Sequence, residues 1–369
     1  MQLNYCVKCL NPNTRPRISF DSKGVCNACL TQEKKSNKDW KSRQDELRRL
    51  CDKQRKLITD RPNVIVPYSG GKDGAYIAYT LKEEFGMRPL CVTIRPPLEE
   101  AVGVENIQAF LDRGFDHIMI TPNRDVERII DRDNFENKGI PMHAFMMAVQ
   151  AAVMRTSVNY KIPLVMFAEE GESEYGGSSE LEDRPTYSLE HSIKYYLSGV
   201  NPVSYLNQFS AADLFWFMHP AEADLLSNGS LISHWSYYRE FVNYKHYLVA
   251  KDKLGFKEKE SRNIGSFENY STTDTKLIWL YFYLMYLKFG FGRTTNVVGT
   301  EIRRGAMSRD QGVNLVRKFD NAYPEPYIEE YLEYYRMTES EFQAVIDRWA
   351  NKDLFEKKCG RWVPVFDVC

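Results

Sequence analysis

Excess charge is the first thing missing from this chain. Its 369 residues carry 49 Lys and Arg against 50 Asp and Glu, a formal net charge of −1. That balance excludes a global field drawing in nucleic acid or an anionic membrane, and leaves only local basic grooves. Long apolar runs are missing too. The longest, Leu277 to Leu287, is closed off by Lys276 and Lys288, well short of the roughly 20 residues a bilayer span needs. The opening Met1-Gln2-Leu3-Asn4-Tyr5-Cys6 lacks the basic-then-apolar pattern of a secretion signal. Internal repeats and low-complexity tracts are absent as well. What the chain has is 43% hydrophobic and 13% aromatic residues. At this length that fills the cores of two domains, or of one with additions. Free cysteines suit a reducing compartment, so a cytoplasmic enzyme is expected.

The segment Val64-Ile65-Val66-Pro67-Tyr68-Ser69-Gly70-Gly71-Lys72-Asp73-Gly74 carries the most chemistry. A short buried-strand signal runs into a glycine-rich turn, and the helical run Ala75–Leu81 follows. Gly70 and Gly71 let backbone N–H groups approach a ligand with no Cβ in the way. The helix N-terminus adds partial positive charge, which makes a polyanion cradle. Lys72 offers a mobile cation, and Asp73 suits Mg²⁺ or orients the loop. Neither the G-x-x-x-x-G-K-[ST] spacing nor G-x-G-x-x-G describes this loop. It resembles the S-G-G-x-D-[SG] loop of ATP pyrophosphatases, which adenylate a carbonyl and release pyrophosphate.

Four of the eight cysteines fall as Cys6-x-x-Cys9 and Cys26-x-x-Cys29. This is zinc-ribbon spacing, and a full thiolate set leaves no open coordination position, so a structural Zn²⁺ is expected. Residues 36–60 read as an amphipathic connecting helix, with Trp40, Leu47, Leu50 and Leu57 at helical intervals. From 61 onward strand and helix signals alternate, with strands at Val64–Val66, Leu90–Ile94, His117–Ile120 and Pro163–Ala168. Short apolar strands between helices predict an α/β fold with a parallel sheet covered on both faces. Ligands of such sheets bind at the carboxyl ends of the strands. Beyond the acidic loop Glu169–Gly177, aromatic-rich helical segments are expected at Ala211–Met218, Trp235–Leu248, Asp274–Phe289, Ser308–Val316 and Ile328–Trp349.

The knuckle, the Ser69–Gly74 loop and two later stretches together resemble the N-acetyl sugar amidotransferases of bacterial surface-polysaccharide biosynthesis, a family of N-type ATP pyrophosphatases. The later stretches run from Ile162 through Glu170 to Glu174-Tyr175-Gly176-Gly177, and from Leu287 through Phe291-Gly292-Arg293 to Glu301-Ile302-Arg303-Arg304-Gly305. The resemblance spans Cys6 to about Asp320. It departs from the family at Ala168-Glu169-Glu170, and Gly74 stands where Ser is commoner. It implies a zinc ribbon (1–35), a connecting helix (36–60), an adenine nucleotide alpha hydrolase-like PP-loop domain (61–200) and a mostly helical substrate or partner region (201–369).

The implied reaction turns a sugar's acetamido group into an acetamidino group, consuming ATP with Mg²⁺ as a cofactor. Lys72, Asp73 and Glu170 are the expected catalytic residues. Pro67, Ser69, Gly70, Gly71, Lys72, Asp73, Gly74, Thr93 and Ile94 would bind ATP. Glu174, Tyr175, Arg293, Glu301 and Arg303 would bind the sugar, which is nucleotide-linked or a nonulosonic acid, with Arg304 a further candidate. No cysteine sits in the Gly-x-Cys-x-Gly elbow of a glutaminase, and Cys6 is committed to metal. A separate glutaminase subunit supplying ammonia is therefore expected, with no nucleic acid partner. His143 and His234 lie beside apolar residues and read as core histidines. The rival reading is a tRNA-modifying ligase or sulfurtransferase, which would need reactive or cluster-binding cysteines; only Cys91 lies near the nucleotide strands. A non-enzymatic zinc-ribbon module is a third reading, and it leaves the loop unexplained.

Overall fold

Apolar runs that are short, β-branched and closed by turn residues form the centre of the chain. The computed structural model describes residues 3–369. Two helices, α1 (Asn27–Ser36) and α2 (Trp40–Leu57), precede the first strand. Then β1 (Val64–Pro67), α3 (Lys72–Glu83), β2 (Pro89–Ile94), α4 (Ala101–Leu111) and β3 (Asp116–Ile120) alternate. They are followed by α5 (Arg124–Lys138), α6 (His143–Tyr160), β4 (Leu164–Phe167), the short α7 (Gly171–Tyr175) and β5 (Leu231–His234). The sheet has the order β3-β2-β1-β4-β5, parallel throughout.

Alternation along β1 divides the core. Ile65 joins the larger cluster, built with α5, α6 and the helix Leu277–Phe289, while Val64 and Val66 face a second cluster with α2, α3 and Trp235. With both faces covered, burial rather than amphipathic patterning drives these strands. The strand order reverses between β1 and β4, which opens the crevice where doubly wound sheets take their ligands.

Several expectations change. The sheet has a fifth strand, so it extends past the boundary drawn at residue 200. Only four residues long, β5 includes Ser233 and His234, both buried and both hydrogen-bonded, and its apolar signal is correspondingly weak. Residues 211–218 form successive turns. The run 235–248 divides into Trp235–Tyr238 and Asn243–Leu254. Ile328–Trp349 breaks at Arg336, where φ is 51°, and Thr338 and Glu341 start the second helix with a reciprocal capping box. A C-terminal hairpin, Phe355–Lys358 with Arg361–Pro364, was not anticipated. Among the described residues, no helix is long and apolar enough to cross a membrane.

Candidate functional site

Three glycine-dependent contacts shape the loop after β1. Gly70 has a φ of 84°, and a Cβ there would stand 2.5 Å from the Gly103 carbonyl oxygen. Gly103, in α4, is itself pressed against the Thr273 carbonyl, 2.2 Å from where its Cβ would lie. Gly74 has no room either, since a Cβ would meet the Pro67 oxygen at 2.7 Å. Any side chain there would force this backbone to shift. Loop, α4 and the 271–274 segment thus close on one another. Gly71 caps α3 without a side-chain hydrogen bond, which leaves the first amides of that helix for an anion.

Lys72 is 4% exposed. Its Nζ lies 2.6 Å from Asp73 Oδ2 and donates to Asn243 Oδ1 at 3.2 Å. Asp73 Oδ1 takes a bond of 2.8 Å from His246 Nδ1. Burial alone would raise the Asp73 carboxyl, but the Lys72 charge and the His246 bond outweigh it and hold it well below the usual carboxylate range. Burial lowers the imidazole of His246 against the pull of Asp73, and the ring stacks on Tyr76 with centroids 4.0 Å apart. Asn243 and His246 lie one turn apart on a helix and so share a face. No motif marked them in the sequence.

Across the crevice, Glu169 follows β4. Burial, and then the Asp73 charge, push its carboxyl up to about 7, with Lys72 opposing. Tyr175 Oη donates to it at 3.0 Å. Two carboxyls in mutual repulsion fit a divalent cation, which would lower both. Glu170, an expected catalytic residue, is committed elsewhere: its carboxylate accepts from the Glu172 and Ser173 amides at 3.2 and 2.8 Å and caps α7. Its neighbour Glu169 is the carboxyl that feels the Asp73 charge.

The crevice beside the loop has a volume of about 290 Å³. Ser69, Lys72 and Asp73 line one side, and Ser271, Asp274 and Arg293 the other. Burial raises the half-buried Asp274 carboxyl, with Ser69 among the groups that oppose the rise, and Arg293 pairs with Glu268 at 2.7 Å. The remaining sugar-binding candidates are dispersed. Glu174 pairs with Lys35 of α1, and both side chains are buried. Arg303 donates to the Glu174 carbonyl at 2.8 Å and sets its charge beside Cys9, Cys26 and Cys29. Glu301 pairs with Arg304. Thr93 and Ile94 are buried beneath the loop, where Thr93 Oγ1 donates to the Tyr68 carbonyl. Burial pulls His143 down to about 4 and His234 to about 3, and Tyr196 Oη bonds His234 Nε2 at 2.9 Å. Both are core histidines.

The four knuckle Sγ atoms lie within 4.8 Å of one another, with Cys6–Cys29 at 3.8 Å and Cys9–Cys26 at 3.4 Å. A tetrahedron of sulfurs about 2.3 Å from a zinc ion has edges of roughly 3.8 Å, so this donor set fits one ion.

Residues 264–366 match the family model described as LPS biosynthesis protein WbpG-like, C-terminal domain. That match bears out the surface-polysaccharide resemblance, and it covers the segment supplying Asp274 and Arg293 to the crevice. No curated protein matches the chain. Among solved structures, the U34-tRNA thiolase NcsA from Methanococcus maripaludis with its [4Fe-4S] cluster is similar at 13% identity, over 72% of this chain and 79% of that one, with a TM-score of 0.28. The NH3-dependent NAD synthetase from Campylobacter jejuni subsp. jejuni NCTC 11168 is 15% identical over 50% of this chain and 99% of its own, with a TM-score of 0.27. The NMN synthetase from Francisella tularensis is 14% identical over 61% and 99%, with a TM-score of 0.26. Likeness at this level carries no inference about activity.

Proposed function

From a C-terminal region matching that of WbpG-like LPS biosynthesis proteins, we propose that the chain is an ATP-dependent amidotransferase acting on an N-acetylated sugar. One observation carries the reading: the WbpG-like segment closes directly on the phosphate-cradling loop, with Thr273 Oγ1 donating to the Gly70 carbonyl at 3.5 Å and Asp274 and Arg293 lining the same crevice as Ser69.

An amide carbonyl is a poor electrophile, and its oxygen leaves poorly. In the proposed reaction the amide oxygen attacks the α-phosphorus of ATP, and the bond to pyrophosphate breaks. Ammonia then adds to the imidate carbon, AMP departs with the oxygen, and loss of a proton leaves the amidine. The α3 amides and Lys72 would stabilise charge on the departing pyrophosphate, Lys72 exchanging its Asp73 partner for phosphate oxygens. His246 and Asn243 keep the Lys72–Asp73 pair in place. Asp73 and Glu169 would hold Mg²⁺, whose role is to neutralise phosphate charge. The knuckle would hold a structural zinc ion. Ammonia would come from a separate glutaminase subunit.

A thiolation reading finds less support. Cys91 is fully buried within β2, level with Val66 of β1, and the knuckle sulfurs are drawn together as for a single ion. The test is pyrophosphate release by the full chain with ATP, Mg²⁺ and ammonium. Stimulation by UDP-N-acetyl sugars or N-acetylated acidic sugars supports the proposal; stimulation by bulk tRNA alone refutes it.

A further inference from the structure

A second cavity, of about 460 Å³, lies between the cysteine knuckle, α7 and the helix Leu277–Phe289. It is larger than the crevice at the loop and differs from it in chemistry. Arg15, Arg17 and Lys288 bring three positive charges to its wall, and Glu172 answers one of them through Arg17 Nε at 2.8 Å. Arg15 is bonded to neutral oxygens, the Gly176 carbonyl and Asn296 Oδ1, both at 2.6 Å. Its guanidinium lies 4.8 Å from the Phe291 ring centroid. Lys288 donates to the Lys138 and Gly139 carbonyls at 2.9 and 3.3 Å. Aromatic side chains, Tyr175 and Tyr281 among them, line much of the rest. Net positive charge beside aromatic faces suits a sugar ring that carries an oxyanion.

The position relative to the loop is equally specific. Met146 borders both this cavity and the nucleotide crevice. Tyr175 lines the cavity while its hydroxyl holds Glu169, the carboxyl that senses Asp73. A ligand seated here would have its far end at the loop.

We propose that this cavity is the acceptor subsite, and that Arg15 and Arg17 of the knuckle recognise a phosphate or carboxylate on the N-acetylated sugar; the proposal rests on the amidotransferase reading. The metal knuckle then forms part of the substrate wall as well as serving as a fold staple.

The test is calorimetric titration of the full chain, without ATP, using three sugars. UDP-N-acetylglucosamine carries a diphosphate, N-acetylneuraminic acid a carboxylate, and N-acetylglucosamine neither. At least one charged sugar is expected to bind about tenfold or more tightly than the neutral one, since a hydrogen bond to a charged group contributes about 1.5–3 kcal/mol. Whichever binds identifies the oxyanion. Arg17→Ala should weaken that binding about tenfold. Tyr281→Trp, which fills the space and keeps every charge, should weaken it as well. Both variants should retain the ATP Kd of the wild type. Equal affinity for charged and neutral sugars, or binding of none of the three, overturns the assignment. So does unchanged charged-sugar affinity in both variants. Should a variant lose ATP affinity too, the wild-type comparison of the three sugars decides. Sugar-stimulated pyrophosphate release with an unaltered sugar KM in both variants sinks the subsite alone, whereas stimulation by tRNA alone removes the amidotransferase reading with it.

Discussion

Asp73 and Glu169 illustrate how one crevice sets two carboxyls apart. Both lie near the Lys72 charge, but Asp73 also accepts from His246 and stays ionised, while Glu169 is pushed up to about 7. A magnesium ion held as proposed would need both in the ionised form. Magnesium affinity should therefore fall as pH drops through about 7, and Glu169→Gln should abolish that dependence; the apparent Mg²⁺ constant for pyrophosphate release between pH 6 and 8 measures it. For stability the two signs differ. Glu169, with its folded pKa raised, contributes stability that is lost as pH rises through about 7. Asp73, with its pKa lowered, contributes stability that is lost as pH falls below the usual carboxylate range. Adjacent glutamates should separate in the same way under mutation. Glu169→Gln is expected to cut kcat for pyrophosphate formation by about a hundredfold, as loss of one preorganised electrostatic contact does. Glu170→Gln should leave kcat near that of the wild type and cost about 1 kcal/mol of stability in a thermal melt, as the α7 cap weakens.

At the scale of elements, the site depends on close approach of three segments. The Gly103 position in α4 lies against the Thr273 carbonyl, and the Gly70 position against the Gly103 carbonyl. Gly103→Ala should force the 271–274 segment outward, destabilise the fold by about 1–3 kcal/mol and raise the KM for ATP, because Thr273 loses its bond to the Gly70 carbonyl and Asp274 leaves the crevice wall. Thermal unfolding and ATP titration of that variant provide the check; an unchanged melting temperature and KM would remove the packing argument. The first four strands and α3 were legible because each pairs an apolar run with turn residues. Gly103 was not, since a helical glycine shows its reason only when its neighbour is known. The Asn243 and His246 pair was hidden for a similar cause: the helix Asn243–Leu254 lies against α3 across a long stretch of sequence.

Across the whole molecule, the knuckle and the C-terminal region meet away from the loop. Arg303 from the helix Arg293–Arg303 lies beside the cysteines, Lys35 of α1 pairs with Glu174 of α7, and Arg15 reaches Asn296. Metal removal should thus be felt beyond residues 1–35. Stripping metal with a chelator should lower the melting temperature and raise the KM for the sugar more than that for ATP; parallel steady-state titrations of the stripped and zinc-restored protein measure this. In the proposed reaction a separate glutaminase would supply the nitrogen. The purified chain should use ammonium and show no glutamine-dependent turnover until a glutaminase is added, with AMP formation as the readout.

The sequence by itself determined the phosphate cradle, the four-cysteine set and the parallel α/β class. Each rests on local chemistry: glycines where a backbone must approach, thiols at knuckle spacing, and apolar runs of strand length. Tertiary structure alone decided which of two adjacent glutamates faces the loop, because a one-residue step at the end of β4 turns the side chain from crevice to helix cap. It likewise took Glu174 and Arg303 away from the loop, and brought Arg15, Lys288 and Tyr281 around one cavity. The placing of Glu174, Arg303, Arg15 and Lys288 depends on contacts between segments more than a hundred residues apart, and local periodicity carries no record of them.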